Sequence, residues 1–279
     1  MSNRIGEYLV QEMIGEGGMG TVFRGVDPRF NRPVAIKILH SQLARNSEIL
    51  ERFKAEAIIQ AKLQHPHIVT VYDFISSELY TAMILEYVEG ETLESLIEKS
   101  GGSLAVKKST TIIRQVLMAM AFAHGEGLVH RDLKTSNIMV QYLGEDPHVK
   151  VMDFGVAKIL GSEKMQTSTK AKIGTLAYMS PEQIRSPKNV DQRSDLYSLG
   201  VIFYEMLFGN LPVDGESEYE LMEAIIEGKF APIPAGTDPN ITSILSRALA
   251  NNPTHRFTNA SEFMSEINEI SYSANSSLD

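Results

Sequence analysis

Four short segments of the 279-residue chain carry side chains able to do chemistry. The run His130-Arg131-Asp132-Leu133-Lys134-Thr135-Ser136-Asn137 follows a long helical stretch and an apolar Leu128-Val129, so it reads as a loop. Within it Asp132 can accept a proton, Lys134 can neutralise a transferring phosphoryl group, and Asn137 can offer an oxygen to a metal ion. Asp153-Phe154-Gly155 follows a short strand-like Val149–Met152. Each segment also has a plain reading, as a polar connection with Asp132 in a turn and as an ordinary D-x-G turn.

Val34-Ala35-Ile36-Lys37 sets one cation inside an apolar strand. By alternation Ala35 and Lys37 face one side, and Val34, Ile36 and Ile38 the other. A lysine so placed is rarely buried without a partner. Glu56 is the candidate partner if Ile49, Phe53, Gln60 and Leu63 form the inward stripe of its helix. If Leu50, Ala57 and Ala61 form that stripe, Glu56 is solvated; periodicity does not choose between them. Gly15-Glu16-Gly17-Gly18-Met19-Gly20 fits G-x-G-x-x-G. A dinucleotide-binding version would open a helix, whereas Thr21-Val22-Phe23-Arg24-Gly25 has strand character, and a Walker loop would need Lys-Ser/Thr after its last glycine. What remains is a glycine hairpin whose N–H groups can approach phosphates, or a flexible hairpin with no ligand.

These segments need elements to hold them. The first third reads as strands over Tyr8–Ile14, Thr21–Val26, Pro33–Leu39, Ile68–Ile75 and Tyr80–Glu86, separated by Gly, Asp-Pro or Asn-Arg-Pro turn signals. One helix, capped by Ser47 and ended by His65-Pro66, interrupts them. After Gly90 helical patterns dominate, at Val106–Glu126, Gln192–Phe208, Tyr219–Glu227, Ile241–Ala250 and Ala260–Ile270, and Ser271–Asp279 reads as a flexible tail. The expectation is a small β-rich lobe over 1–87 and a larger helical lobe over 88–270. The junction near Glu86–Gly90 is then a natural ligand cleft.

Composition narrows the class of function. With 26 Lys+Arg against 35 Asp+Glu the net charge is -9, which argues against a general nucleic-acid binder. Residues 1–87 hold 9 basic and 10 acidic groups and residues 88–279 hold 17 and 25, so the acid belongs to the second part. Absence of cysteine removes disulfides, thiolate metal sites and thiol nucleophiles. Met1–Val10 lacks the apolar run of a signal peptide, and the apolar stretch Leu199–Leu207, broken by Glu205, is too short to span a bilayer. A soluble protein with no membrane segment in this chain is expected.

In order and spacing, Gly15 to Val22, Lys37, Glu56, the His130 to Asn137 loop, Asp153-Phe154-Gly155, Ser180-Pro181-Glu182, Asp195 and Arg256 resemble the protein-kinase signature set, from about Tyr8 to Ile270. The resemblance implies an α+β bilobal kinase fold. It implies that Gly15, Glu16, Gly17, Gly18, Met19 and Gly20 cover ATP phosphates, while Ile14, Val22, Ala35 and Met139 pack on the adenine. Lys37, held by Glu56, would bind the α/β-phosphates. The backbone of Glu86 and Val88, after a gatekeeper Leu85, would bond the adenine edge. Asn137 and Asp153 would coordinate Mg²⁺, or Mn²⁺ in its place. Asp132 would act as base and Lys134 would stabilise the phosphoryl group.

Lys134 and Gly174-Thr175 before Tyr178-Met179-Ser180-Pro181-Glu182-Gln183 are similar to serine/threonine rather than tyrosine kinases, and the run from Gly174 to Gln183, with Glu56 in Glu-Ala and the helix ending at His65-Pro66, resembles bacterial serine/threonine kinases of the eukaryotic-like (Hanks) type. Ser180 stands where that pattern has alanine, with no reason to prevent pairing of Glu182 with Arg256. The loop after Gly155 carries Thr167 and Thr169 as candidates for activating autophosphorylation; the residue at the place of Arg131 receives the phosphorylated loop in similar kinases, and Thr175 is expected in the substrate site. Implied partners are ATP and proteins with Ser/Thr acceptors, in bacterial signal transduction. Location is expected to be cytoplasmic, free-standing or as the cytoplasmic part of a membrane-tethered kinase, and dimerisation is left open. The rival readings are a pseudokinase scaffold, which would lack Lys37, Asp132 or Asp153, and a small-molecule kinase, which would lack the Pro181-Glu182 continuation.

Overall fold

A computed structural model describes residues 4–154 and 174–276. The chain divides into two compact units, with Glu89 and Gly90 on either side of the first division. Thr167 and Thr169 lie outside the described residues.

The first unit is built on a six-stranded antiparallel sheet of order β1-β2-β3-β4-β6-β5. Its strands are β1 (Arg4–Ile5), β2 (Tyr8–Glu16), β3 (Gly20–Asp27), β4 (Arg32–Leu39), β5 (Val71–Ser76) and β6 (Thr81–Glu86). Period-two alternation sorts β4 as expected: Val34 and Ile36 are fully buried and pack with Ile5, Tyr8, Ala82 and Ile84, while Ala35 and Lys37 are half-buried on the other face. After the short α1 (Ser41–Ala44), helix α2 (Ser47–Ala61) packs against β5, with the Phe53 and Phe74 rings 5.8 Å apart.

Two local expectations change. The N-cap of α2 is Asn46, whose Oδ1 accepts from the amides of Glu48 and Ile49, and Ser47 is already helical. Strand β5 begins at Val71; Ile68, a lone bridge residue after the turn at 66–67, and Val69 are buried outside it, with Ile68 N–H donating to His65 O and Val69 O accepting from Gln60 Nε2. An apolar run marks burial, and here a side chain takes the backbone bond that a strand neighbour would have made.

The second unit combines helices with a three-stranded sheet, β7 (Glu91–Thr92), β8 (Ile138–Leu143) and β9 (Asp146–Val151). Its helices are α3 (Leu93–Lys99), α4 (Val106–Gly125), α5 (Pro181–Arg185), α6 (Arg193–Phe208), α7 (Glu218–Glu227), α8 (Pro239–Ala248) and α9 (Ala260–Ser276). Twelve of the sixteen residues of α6 are buried, which makes it the axis of this unit. Gly200 lets α8 approach it, since a Cβ there would stand 2.7 Å from that of Ala248. Helix α4 packs on α9, α6 and β9. The expected flexible tail from Ser271 is instead helix as far as Ser276. Once a helix is nucleated each added residue contributes a bond, so weak formers such as Ser and Asn are carried along. No described helix is long and apolar enough to cross a membrane.

Candidate active site

In the first unit the β2–β3 hairpin closes on Gly17 and Gly20, which exchange backbone bonds of 2.9 and 3.3 Å around Gly18 and Met19. Gly20 is sterically required, because a Cβ there would lie 2.0 Å from the carbonyl oxygen of Ile38. Cross-strand register sets Val22 opposite Lys37 and Ala35 opposite Leu85, so these residues share one sheet face. Ile14 falls in an irregularity between the Met13 and Gly15 pairings and is exposed.

On that face Lys37 Nζ stands 3.6 Å from Glu56 Oε1, with the Glu56 side chain only 5% exposed. Of the two stripes open to α2, the one containing Phe53, Glu56 and Gln60 is buried, together with Ala57, whereas Ala61 is exposed. At the end of β6 the Glu86 N–H donates to Thr70 O at 2.8 Å, and Glu86 Oε2 accepts from the Thr70 amide. Leu85 and Val88 are buried.

In the second unit the loop that begins at His130 is held by one carboxylate. Asp195, in the first turn of α6, accepts from the amides of His130 and Arg131 at 2.8 Å each and from His124 Nε2 at 2.8 Å. Burial alone would raise the Asp195 pKa, yet these donors hold it below the usual carboxylate range. His130 is fully buried, and burial pushes its pKa down. Its Nδ1 accepts from the Asp132 amide and its Nε2–H donates to Met152 O, which assigns the neutral tautomer. Arg131 and Asp153 adopt φ of 65° and 55°, a left-handed backbone that costs a non-glycine residue energy and is typical of over-determined functional segments.

The same loop collects the polar groups. Lys134 Nζ lies 3.7 Å from Asp132 Oδ2 and donates to Thr175 Oγ1 at 3.0 Å. Asn137 Nδ2 donates to Asp132 O at 2.8 Å and to Asp132 Oδ2 at 3.3 Å. With its amide hydrogens committed there, Asn137 presents Oδ1 elsewhere. Met152 N–H donates to Asn137 O at 3.0 Å, joining Asn137 to the residue before Asp153, and Phe154 packs on His130 with ring centroids 4.6 Å apart. Met139 is half-buried on β8 opposite Lys150. No group of three His, Asp or Glu residues among those described could hold a metal. An amide oxygen and a carboxylate, from Asn137 and Asp153, suit a hard cation that keeps most of its ligands as water or phosphate oxygens.

Around this loop the chain is tied to later elements. Ser180 caps α5 in a reciprocal box with Gln183, and Gln183 Nε2 donates to Arg131 O at 3.0 Å. Arg256, 2% exposed, makes a two-pronged bond to Glu182 at 2.7 and 2.9 Å. The Arg131 guanidinium donates to Pro187 O and Val190 O at 3.4 Å each. A hydroxyl chain runs from Thr135 Oγ1 to Tyr178 OH, 2.9 Å, and on to Glu205 Oε2, 2.5 Å. Burial first, and the nearby Glu94 charge, push Glu205 up to about 7 against the Tyr178 bond, which lowers it. This chain, His124 and the His40 contacts described below escape sequence reading, because their partners lie tens of residues away.

Comparison with known proteins agrees with this geometry. Residues 8–272 match the protein kinase domain family. The chain is 38% identical over 268 residues to serine/threonine-protein kinase PknL of Mycobacterium tuberculosis, covering 94% of this chain and 65% of that protein. It is 38% identical over 270 residues to PknB of Mycolicibacterium smegmatis, covering 93% and 42%, and 35% identical over 266 residues to PrkC of Bacillus subtilis, covering 94% and 40%. The chain thus spans less than two thirds of the length of each of these relatives. Its glycine hairpin, its Lys37–Glu56 pair, its Asp132 loop and the match over residues 8–272 place it in the protein kinase domain family.

Proposed function

We propose that this chain is the catalytic domain of a serine/threonine protein kinase, which transfers the γ-phosphoryl group of ATP to Ser or Thr hydroxyls of proteins in bacterial signal transduction. The observation that carries the reading is the linked set in which Asn137 and Lys134 both reach Asp132 and Lys134 also bonds Thr175. Asp132 orients the acceptor hydroxyl and takes its proton as the oxygen bonds to the γ-phosphorus and the bond to ADP breaks. Asn137 Nδ2 steers that carboxylate, and Lys134 carries positive charge towards the phosphoryl oxygens. Thr175 on Lys134 favours a Ser/Thr acceptor, in line with the names of the relatives.

The nucleotide is read through Lys37, poised by Glu56, and through the backbone of the Gly15–Gly20 hairpin, with Ile14, Val22, Ala35 and Met139 as apolar contacts for adenine. Because the Glu86 N–H is committed to Thr70, Glu86 contacts adenine through its carbonyl, and Val88 supplies the amide. Asn137 and Asp153 hold Mg²⁺ or Mn²⁺, which when bound neutralises phosphate charge. Activation follows autophosphorylation of Thr167 and Thr169, with Arg131 as the receiving cation. The domain works in the cytoplasm, alone or tethered. Incubation with radiolabelled ATP, a generic protein acceptor and a panel of small alcohols tests the reading: label enters Ser/Thr of protein and not the alcohols. Label confined to alcohols, or absent altogether, rejects it, and mass spectrometry of the loop assigns the activating sites.

A further inference from the structure

His40, the residue after β4, holds the glycine hairpin at two points. Its backbone N–H donates to Met19 O at 3.0 Å, and its ring Nε2 lies 3.0 Å from Gly17 O. Because a carbonyl only accepts, Nε2 carries the proton and donates. Gly17 O therefore receives two donors, the His40 ring and the Gly20 amide. The hairpin is also pressed on the end of β4, where Gly20 passes directly over the Ile38 carbonyl.

Peptide geometry gives these bonds a consequence. In a planar trans peptide the C=O and the following N–H point in opposite directions. With Gly17 O turned towards His40, the Gly18 N–H is turned away from it. Gly17 and Gly18 have no Cβ to oppose rotation of the peptide between them, so a flip that would present a carbonyl instead is sterically cheap. Something other than local sterics has to choose the orientation, and the His40 ring is the side chain that grips this peptide.

We propose that His40 is a positioning residue for the glycine hairpin, fixing the Gly17–Gly18 peptide so that the Gly18 N–H, and not a carbonyl, is offered to phosphate oxygens. This rests on the nucleotide role proposed above for the hairpin. A carbonyl in that place would repel the anion, so His40 acts on phosphate affinity without touching the nucleotide. The His40 amide bond to Met19 survives any side-chain substitution, which keeps the fold of the hairpin while leaving the Gly17–Gly18 peptide held only by the longer 3.3 Å bond from the Gly20 amide.

The test measures binding by calorimetry to the 279-residue chain, with Mg²⁺-ATP and with adenosine as separate probes, for wild type, His40→Ala and His40→Gln, alongside their Tm. Loss of one exposed hydrogen bond should weaken Mg²⁺-ATP about three- to tenfold in His40→Ala, with adenosine affinity and Tm unchanged. His40→Gln, which keeps a side-chain N–H donor, should recover most of the loss. Equal ATP affinity in His40→Ala and wild type, or a parallel loss of adenosine binding and Tm, overturns the positioning role. Wild-type protein that binds adenosine and ATP equally well removes the phosphate-binding hairpin from the proposed function, and this role with it.

Discussion

In the proposed reaction Asp132 carries the heaviest chemical demand, and its surroundings prepare it in three ways. Its amide is bonded to His130 Nδ1, its carbonyl and carboxylate receive Asn137, and Lys134 stands beside it. General-base assistance contributes about 10²–10⁴ in rate. Asp132→Asn is therefore expected to retain Mg²⁺-ATP binding and to lose phosphotransfer by at least about a hundredfold; turnover within a factor of about two of wild type would reject the assignment. Glu205 makes the second residue-level prediction. Its folded pKa of about 7 lies above the ordinary 4.5. The native state therefore holds a proton that the unfolded state has released between these values, and stability falls as pH rises through that window. Glu205→Gln can still accept from Tyr178 and does not titrate. Urea unfolding at pH 5 and pH 8 should show the variant gaining on wild type by about 2 kcal/mol at the higher pH. A gap independent of pH would show that Glu205 ionises normally.

Helix α5 shows how a five-residue element is made worth forming. Ser180, where the kinase pattern has alanine, accepts from the Gln183 amide and has Ser194 Oγ at 2.9 Å and Gln183 Oε1 at 3.2 Å as acceptors for its own proton, so its hydroxyl both accepts and donates. Glu182 in the first turn is bonded by Arg256 and by Ser194. Burial would raise the Glu182 pKa, but Arg256 holds it below the usual range. Breaking one side of such a pair leaves a buried guanidinium with its countercharge gone, at a cost of about 3–5 kcal/mol. Glu182→Gln should lower the stability of the second unit by about that amount in chemical denaturation. Ser180→Ala, a loss of one cap, should cost about 1 kcal/mol. If the two variants prove equally stable, the pair is not the anchor of this segment.

At the scale of the molecule a net charge of -9 has to coexist with the proposed binding of a polyanion. The first 87 residues, which hold the glycine hairpin and Lys37, are nearly neutral at 9 basic and 10 acidic groups, so the excess acid lies elsewhere in the chain. Ligand linkage gives a global readout: Mg²⁺-ATP at about one hundred times its Kd should stabilise the fold by about 2.7 kcal/mol and raise Tm by roughly 5 °C. Lys37→Met should abolish most of that shift, and a full shift in the variant would remove Lys37 from nucleotide binding.

While the short β1, β7, α1, α3 and α5 and strand β8 escaped it, the sequence by itself determined the main strands of the first unit, the long helices of the second, the inward face of β4 and the residue types at each chemical position. These are local properties, legible because side-chain period is set by the backbone of a strand or helix. Only the tertiary structure decided which stripe of α2 is buried, and hence that Glu56 meets Lys37, since both stripes satisfy the helical period. It also decided that Asp195 grips the His130 loop from 64 residues away, that Thr135 reaches Glu205 through Tyr178, and that His40 holds the glycine hairpin. Such pairings depend on how elements close on one another, and no periodicity within a segment encodes the distance between two of them.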